Sequence, residues 1–410
     1  MRSFIEVAPP GRNAGVPLHF HRYSTRLSVG SPHEGLSLDS ESKNAPGSAP
    51  VDIPSSDIIQ FPCKSCGAKL TFAPGAGSLA CQYCGYAEPI PTSREAVQEH
   101  AFESYAARKG DVGFGVERKH FSCAQCGAQT AVEPHITSFR CVFCGSDKVA
   151  GNDERQVMRP ESLLPFAVGA ERALEAFRQW LAGLWFRPNA LKRLAQPGAL
   201  SGIYLPFWTY DTLTHSFWTA ESGEYYYVTR TVTDSNGQQR IVQEQHVRWR
   251  WVRGTFDCFF DDVLAPGSPS LPRPMLERIE PFPTDELVAY SPEFLSGFLA
   301  EDYRADMTEC WPVAKRRIDD AIEKAIIRRI PGDTYRSLSV DTSYHNRTYK
   351  LCLLPVWAGG YQFQGKTYTY AVNGQTAKVA GDAPYSWLKI AALVVTLLGL
   401  AAGIYAATGR

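Results

Sequence analysis

The chain has 410 residues, with 42 Lys plus Arg against 42 Asp plus Glu. That balance excludes any argument from bulk charge for a polyanionic partner, and the length allows two or three domains around a substantial core. Aromatic residues make up 12% of the chain and the nine tryptophans fall after residue 179, so dense packing is expected in the second half.

Residues 1–56 scatter Pro9, Pro10, Gly11, Gly15, Gly30 and Pro32 among Ser and Asn without helix or strand period, and read as a disordered tail. His19 and His21 there read as solvated side chains rather than metal ligands. No apolar run of signal length follows Arg2, which argues against export.

From Phe61 to Ser146 the chain carries eight of its eleven cysteines in four Cys-x-x-Cys pairs. Cys63, Cys66, Cys81 and Cys84 form one unit, and Cys123, Cys126, Cys141 and Cys144 repeat the spacing sixty positions later. Phe61 matches Phe121, Gly67 matches Gly127, Ala68 matches Ala128 and Gly85 matches Gly145, so the two units are an internal duplication. A glycine follows every pair, where the backbone must turn tightly and reach positive φ. Four thiolates close a tetrahedral zinc site and leave no position for water, so two structural zinc ions are expected, neither of them catalytic. Four disulfides would need an oxidising compartment, and no export signal supplies one. The segments Phe-Pro-Cys-Lys-Ser-Cys-Gly-Ala and Cys-Gln-Tyr-Cys-Gly resemble a zinc ribbon of the transcription-factor-IIB type.

These units place a first ribbon at 57–90, a helical spacer at 91–116 and a second ribbon at 117–150. The spacer helix is expected from a Ser93 cap to about Arg108, with Val97, Ala101 and Tyr105 on one face, which would make the ribbons two beads on a rod. Lys64, Lys69, Arg118, Lys119 and Arg140 near the metals read as ordinary solvated cations.

An α+β domain is expected over 151–386, β-rich with amphipathic helices. A helix from about Ala170 to Trp185 carries Ala173, Phe177, Trp180, Leu181 and Leu184 on one stripe, and Pro188 opens a shorter helix through Leu194. Strands are expected from Ile203 to Trp208, from Tyr225 to Asp234 and from Ile241 to Val252, the last two joined by Asn236-Gly237. On the returning strand Arg248 and Arg250 alternate with Trp249 and Trp251. This pattern suits base stacking on a single strand, but period two alone predicts a strand with tryptophans inward and arginines in water, which is the expected reading. Asp257, Asp261 and Asp262 read as turn and surface residues, and Cys258, Cys310 and Cys352 as buried small hydrophobes. Tyr290 to Ile330 reads as mainly helical, with Ile318, Ile322, Ala325 and Ile326 inward and Pro331-Gly332 as its stop. Leu354-Pro355-Val356-Trp357 echoes Leu205-Pro206-Phe207-Trp208, which suggests a second duplication pairing two halves of one sheet, each proline at a strand start or edge.

Gly360, Gly365, Lys366 and Thr367 match the letters of a phosphate-binding P-loop. A P-loop must be followed by a helix, whereas Tyr368 to Val372 alternate like a strand before Asn373-Gly374. The segment is therefore expected to be a hairpin that binds no nucleotide, and no catalytic constellation points to an enzyme.

Leu205-Pro206-Phe207-Trp208-Thr209, Phe260-Asp261-Asp262-Val263-Leu264, Gly297 to Tyr303, Leu354 to Trp357 and Val372 to Thr376 resemble a bacterial family of zinc-ribbon membrane proteins. Members are often labelled primosomal protein N′ or helicase-related. The resemblance runs from about Phe61 to the C-terminus and implies a link to DNA replication. The chain departs from a primosomal helicase in lacking a P-loop in its proper setting and the length for two motor domains.

Residues 387–410 read as a membrane anchor. Ile390 to Ala407 carries no charge, spans roughly 27 Å as a helix, and is preceded by Tyr385, Trp387 and Lys389 as interfacial anchors. The expectation is a single-pass protein of a bacterial inner membrane, the bulk of it cytoplasmic. Its expected role is non-enzymatic: an adaptor whose ribbons recruit a protein partner. The alternative is a nucleic-acid-binding, replication-associated protein without its own motor.

Overall fold

The computed structural model describes residues 61–91, 97–108, 118–132, 141–143, 146, 149–152, 158–194, 200–233, 238–364 and 366–408. The expected tail, Ser93, Arg140, Cys144, Gly145, Asn236-Gly237 and Gly365 lie outside the described residues. The protein is α+β, and strands dominate it.

The first cysteine unit forms an antiparallel sheet of β1 (Leu70–Ala73), β2 (Ser78–Cys81) and β3 (Ala87–Pro89). It is docked rather than a free bead. Phe72 N–H donates to Ser296 O at 3.0 Å, Ser296 Oγ returns to Leu70 O at 2.7 Å, and the Phe72 ring meets Phe294 edge-on at 5.2 Å.

Where a spacer helix was expected, the chain forms β4 (His100–Ala101) and a 3-10 segment, Phe102–Arg108. Tertiary pairing overrides helix propensity here. His100 sits opposite Tyr349 in the main sheet, and the buried Tyr105 ring meets Trp208 and Tyr349 edge-on at 5.9 and 5.7 Å.

The second unit comprises β5 (Lys119–Cys123), β6 (Gln129–Val132) and β7 (Val149–Asn152), with β5 between the other two. After β8 (Ser162–Leu163) come helices α1 (Ala170–Gly183) and α2 (Asn189–Leu194), then the long strands β9 (Ser201–Thr233) and β10 (Gln239–Pro266). As its spacing predicts, α1 buries Ala173, Phe177 and Leu181, but it stops at Gly183 and leaves Trp185 outside it.

The stretch expected to be helical from Tyr290 begins otherwise. After α3 (Arg273–Ile279) it holds β11 (Val288–Ala289), a 3-10 turn at Pro292–Leu295 and β12 (Leu299–Glu301). Only then does α4 (Met307–Ile327) start, on a capping box in which Asp306 and Glu309 each accept the other's backbone N–H at 2.9 Å. β13 (Thr334–Phe363), β14 (Lys366–Asn373), β15 (Val379–Gly381) and α5 (Trp387–Thr408) complete the described chain. The former P-loop letters lie in the hairpin of β13 and β14, with Phe363 opposite Lys366.

One twelve-stranded sheet runs β11-β8-β13-β9-β12-β6-β5-β7, with β10 added to β9, β4 and β14 to β13, and β15 to β14. The second unit is thus part of the main sheet, joined through Ala300 opposite Ala131.

The two Leu-Pro motifs face each other across β9 and β13, with Leu354 opposite Leu205 and Val356 opposite Ile203. Neither proline is at a strand start. Each instead stands where a neighbouring ladder begins, so its missing N–H breaks no bond. Pro206 O accepts from Gly267 N just where β10 joins, and Pro355 O accepts from Gly374 N just where β14 joins, both at 2.9 Å.

Thirty-three residues make β9 roughly 110 Å long. Its residues 203–212 are buried on both faces, and residues 212–222 alternate, with one face covered. There Ile318, Ile322 and Ile326 of α4 pack into one cluster with Trp218, Ala220, Phe256 and Cys258. Gly332 turns the chain from α4 into β13 at φ 94°, where a Cβ would lie 2.7 Å from Gly223 O. Beyond Gly223, β13 has ended, and β9 and β10 continue alone as a two-stranded arm exposed on both faces.

Candidate functional site

Each cysteine pair closes the same backbone knuckle. The N–H of the first cysteine donates to the carbonyl five residues on: Cys63 to Ala68, Cys81 to Tyr86, Cys123 to Ala128 and Cys141 to Ser146, at 2.6 to 2.9 Å. Gly67, Gly85 and Gly127 return an N–H to the cysteine carbonyl four residues back, with φ of 74, 75 and 72°. Positive φ here is the conformation that glycine adopts without a Cβ penalty.

These knuckles bring the Sγ atoms together. Cys63 to Cys84 is 3.5 Å and Cys66 to Cys81 is 3.6 Å, and all four sulfurs lie within 4.8 Å of one another. In the second unit Cys126 to Cys141 is 3.6 Å, and Cys123 completes the described group, Cys144 lying outside it. Cys63, Cys66, Cys81 and Cys84 form no disulfide. The Tyr86 backbone amide lowers the Cys84 thiol to about 6, despite desolvation. Cys66 goes the other way, up to about 12: the Ala68 amide favours its thiolate, but hydrogen bonds shared with Cys84 and Cys81 outweigh it. One thiolate suppresses the next until a cation is shared between them. Both groups are therefore suited to hold a metal ion.

The cations read as surface residues near these groups divide. Lys64 pairs with Glu88 at the surface. Arg118 is buried and clamps the second unit to the body, donating to Leu295 O at 2.9 Å and Phe298 O at 3.1 Å. Sequence position beside a metal knuckle gave no sign of those distant carbonyls.

Asp257 is a surface residue paired with His215, and Asp261 is exposed, but Asp262 is a correction. It occupies a bulge between Phe260 and Val263 at φ 51°, and its carboxylate lies 2.7 Å from the buried Nζ of Lys350. Glu99 reaches the same ammonium at 3.1 Å, and Asp211 accepts from Asp262 N at 2.6 Å and Thr348 Oγ1 at 2.8 Å. Burial acts to lower Lys350, but Asp262, Asp211 and Glu99 outweigh it and hold it protonated. Glu99, Asp211 and Asp261 are close enough to share a cation, and Lys350 already supplies one. The sequence signal that would have found this cluster is a lone lysine opening the apolar run Leu351 to Trp357.

Glu301 on β12 is 1% exposed and accepts from Ser268 and Ser270. Desolvation pushes its carboxyl up to about 7, against the help of those hydroxyls and Arg304. Folded and unfolded chains both bind the proton well below the free carboxyl range, so the strain is absent there. It grows as pH rises from about 4.5 through 7, costing about 3 kcal/mol above that window. Glu301→Gln is therefore expected to raise the melting temperature at pH 8 and leave it nearly unchanged at pH 4, as scanning calorimetry would read.

The residues weighed for base stacking fall on β10. Trp249 is half-buried, with the Arg336 guanidinium 4.2 Å over its ring, and Arg250 pairs with Glu224 at 3.2 Å. Arg248 lies 5.4 Å over Tyr226. Trp251 does not turn inward with its neighbour and is 69% exposed.

α5 is the one helix among the described residues long and apolar enough to cross a membrane. Trp387–Tyr405 spans 19 residues with mean hydropathy 2.1, and none of it is buried.

Comparison with known proteins gives a relative of matching extent. The chain is 28% identical over 359 residues to a protein of Bacillus subtilis (strain 168) described as uncharacterized protein YdjG, covering 85% of this chain and 96% of that one. No family model matches the chain. No solved structure matches it.

Proposed function

We propose that this protein is a membrane-anchored zinc-ribbon adaptor, which recruits a protein partner to the cytoplasmic face of a bacterial membrane. The observation that carries the reading is α5, an apolar helix that the described residues leave uncovered. Apolar surface of that extent needs an apolar partner, and a helix of 19 residues matches a hydrocarbon core about 30 Å thick. The relative over nearly its whole length makes a bacterial setting the natural one.

Zinc is the metal the cysteine groups suit. Zn–S bonds of about 2.3 Å at tetrahedral angles put sulfurs about 3.8 Å apart, near the 3.5 and 3.6 Å of the thiols. Cys63, Cys66, Cys81 and Cys84 would hold one ion, and Cys123, Cys126 and Cys141, with Cys144 from outside the described residues, the other. The ions would fix the knuckles and supply no chemistry. Thiolate ligands of this kind persist in a reducing compartment, in keeping with a cytoplasmic setting.

The test is membrane partition. Leu398→Arg is expected to cost about 2.5–3.5 kcal/mol at the centre of the span, so that the variant shifts into the soluble fraction while the wild type needs detergent. Equal partition of the two would defeat the anchor.

A second reading, nucleic-acid binding, is favoured by one observation, the exposed Trp251 beside Arg250 and Arg253. It requires affinity for single-stranded DNA that falls steeply with salt and weakens in Trp251→Ala. Salt-independent or absent binding leaves the adaptor alone.

A further inference from the structure

The turn that follows α1 is built for a different solvent from the rest of the surface. α1 closes with Leu184 N donating to Leu181 O at 3.3 Å, and the next two side chains, Trp185 and Phe186, are 74% and 38% exposed. Tight turns ordinarily carry polar residues, Gly or Pro. A single exposed aromatic needs no explanation, but these two belong to a group. Across from them Tyr385, Trp387 and Leu388, at the start of α5, are 61%, 78% and 85% exposed.

The two segments are bonded to each other. Ser386 N donates to Phe186 O at 2.8 Å, and Lys389 Nζ donates to Trp185 O at 3.1 Å and Asn189 Oδ1 at 2.7 Å. The Arg187 guanidinium stacks 3.7 Å over the Tyr385 ring. The peptide leading into α5 is fixed as well, since Tyr361 Oη donates to Asp382 O at 2.6 Å and Asp382 N to Thr369 O at 3.0 Å. The depth of Trp185 is therefore tied to the depth of Trp387.

We infer that residues 184–188 form a second contact with the lipid bilayer, seated in its headgroup region beside the point where α5 enters. The inference rests on the reading of α5 as a membrane span. Indole and phenol rings favour that region because one end is apolar and the other wet, and Arg187 and Lys389 can extend their charged ends toward lipid phosphates. Continuity with the span identifies lipid as the occupant: the aromatic side chains flank the apolar helix instead of forming a groove elsewhere. The consequence is a fixed posture. The domain sits on the membrane with α1 and α2 nearest to it, rather than swinging on a tether.

The experiment uses the full-length, zinc-loaded chain in nanodiscs of phosphatidylethanolamine and phosphatidylglycerol. An environment-sensitive nitrobenzoxadiazole label is attached to Trp185→Cys in one preparation and to Leu398→Cys in another. The native cysteines outside the metal groups, Cys258, Cys310 and Cys352, are buried, and Trp185 is exposed enough to replace without disturbing the core. Expected is a blue-shifted label at 185 that loses most of its emission to lipids spin-labelled near the headgroup and resists aqueous iodide. The label at 398 should be quenched by lipids spin-labelled deep in the chain. Quenching at 398 with a label at 185 open to iodide overturns the second contact and leaves the anchor standing. A label at 185 protected from iodide but untouched by spin-labelled lipid also overturns it, in favour of a protein or a second copy on the turn. No lipid quenching at 398 removes the anchor, and the second contact with it.

Discussion

Cys123→Ser is expected to destabilise the whole protein, whereas Cys63→Ser is expected to open the first cysteine unit and leave the rest folded. A structural zinc ion at each group, as proposed, would contribute on the order of 10 kcal/mol to the fold it closes, so either change would remove more than any other single substitution considered. The difference lies in what each metal group is joined to. The Cys123 group ends β5, whose partner β6 pairs with β12, and β12 pairs in turn with β9 at the centre of the sheet. Arg118, one residue before β5, donates to Ala131 O on β6 and to two distant carbonyls, those of Leu295 and Phe298. Losing the knuckle frees the end of that chain of strands. The Cys63 group closes a separate three-stranded sheet that meets the body by packing of Leu70, Phe72 and Leu79 and by bonds to Ser296 and Phe166, and not through a strand ladder to the main sheet among the described residues. Zinc analysis should find one ion in each variant. Calorimetry should find a nearly unchanged main transition for Cys63→Ser and a strongly lowered one for Cys123→Ser. Equal lowering would show that the first ribbon also supports the core.

Trp208→Ala is expected to cost about 3–5 kcal/mol for the lost volume, with about 1–3 kcal/mol more for a carbonyl left without its donor. Trp208 is fully buried, its Nε1 donates to Ala305 O at 3.0 Å, and its ring meets Tyr303 and Tyr105 at 5.3 and 5.9 Å. It joins β9, the segment after the first ribbon and the approach to α4, so no single element can relax to fill the space. Urea unfolding should show a much lower midpoint at unchanged slope, while Trp251→Ala, at an exposed position of β10, stays within about 0.5 kcal/mol of wild type. A small loss at Trp208 would mean that the three elements are not cooperatively packed.

The parts of this fold legible in the sequence are those fixed by neighbours in the chain. The knuckles followed from Cys-x-x-Cys-Gly because the turn hydrogen bonds and the glycine conformation are set within six residues. The stripes of α1 and α4 followed from one constant environment on each helix face. The echo of Leu205 to Trp208 in Leu354 to Trp357 led to the pairing of those two segments in the sheet. What stayed hidden depends on partners far away. β9 read as separate strands because its surroundings change along its length, so a continuous apolar run gives way to alternation and then to polar residues with aromatics. Reading a strand by its period assumes one environment, and β9 has three. Pro206 and Pro355 were misplaced for a related reason: a proline breaks a ladder only where a neighbour stands opposite its nitrogen. Lys350 and Asp262 found each other through a bulge that no local pattern announces.

That change of surroundings turns β9 into a graded clock for amide exchange. Its peptide groups all share one strand geometry, so differences in protection between them report how much structure must open to free each one. The slowest amides should lie near Tyr204 and Trp208, an intermediate set beneath α4 from Thr214 to Ala220, and the fastest beyond Tyr225, where β10 is the one strand paired with β9. A partner that grips the arm would slow the last set first, and its reach along the strand could then be read residue by residue.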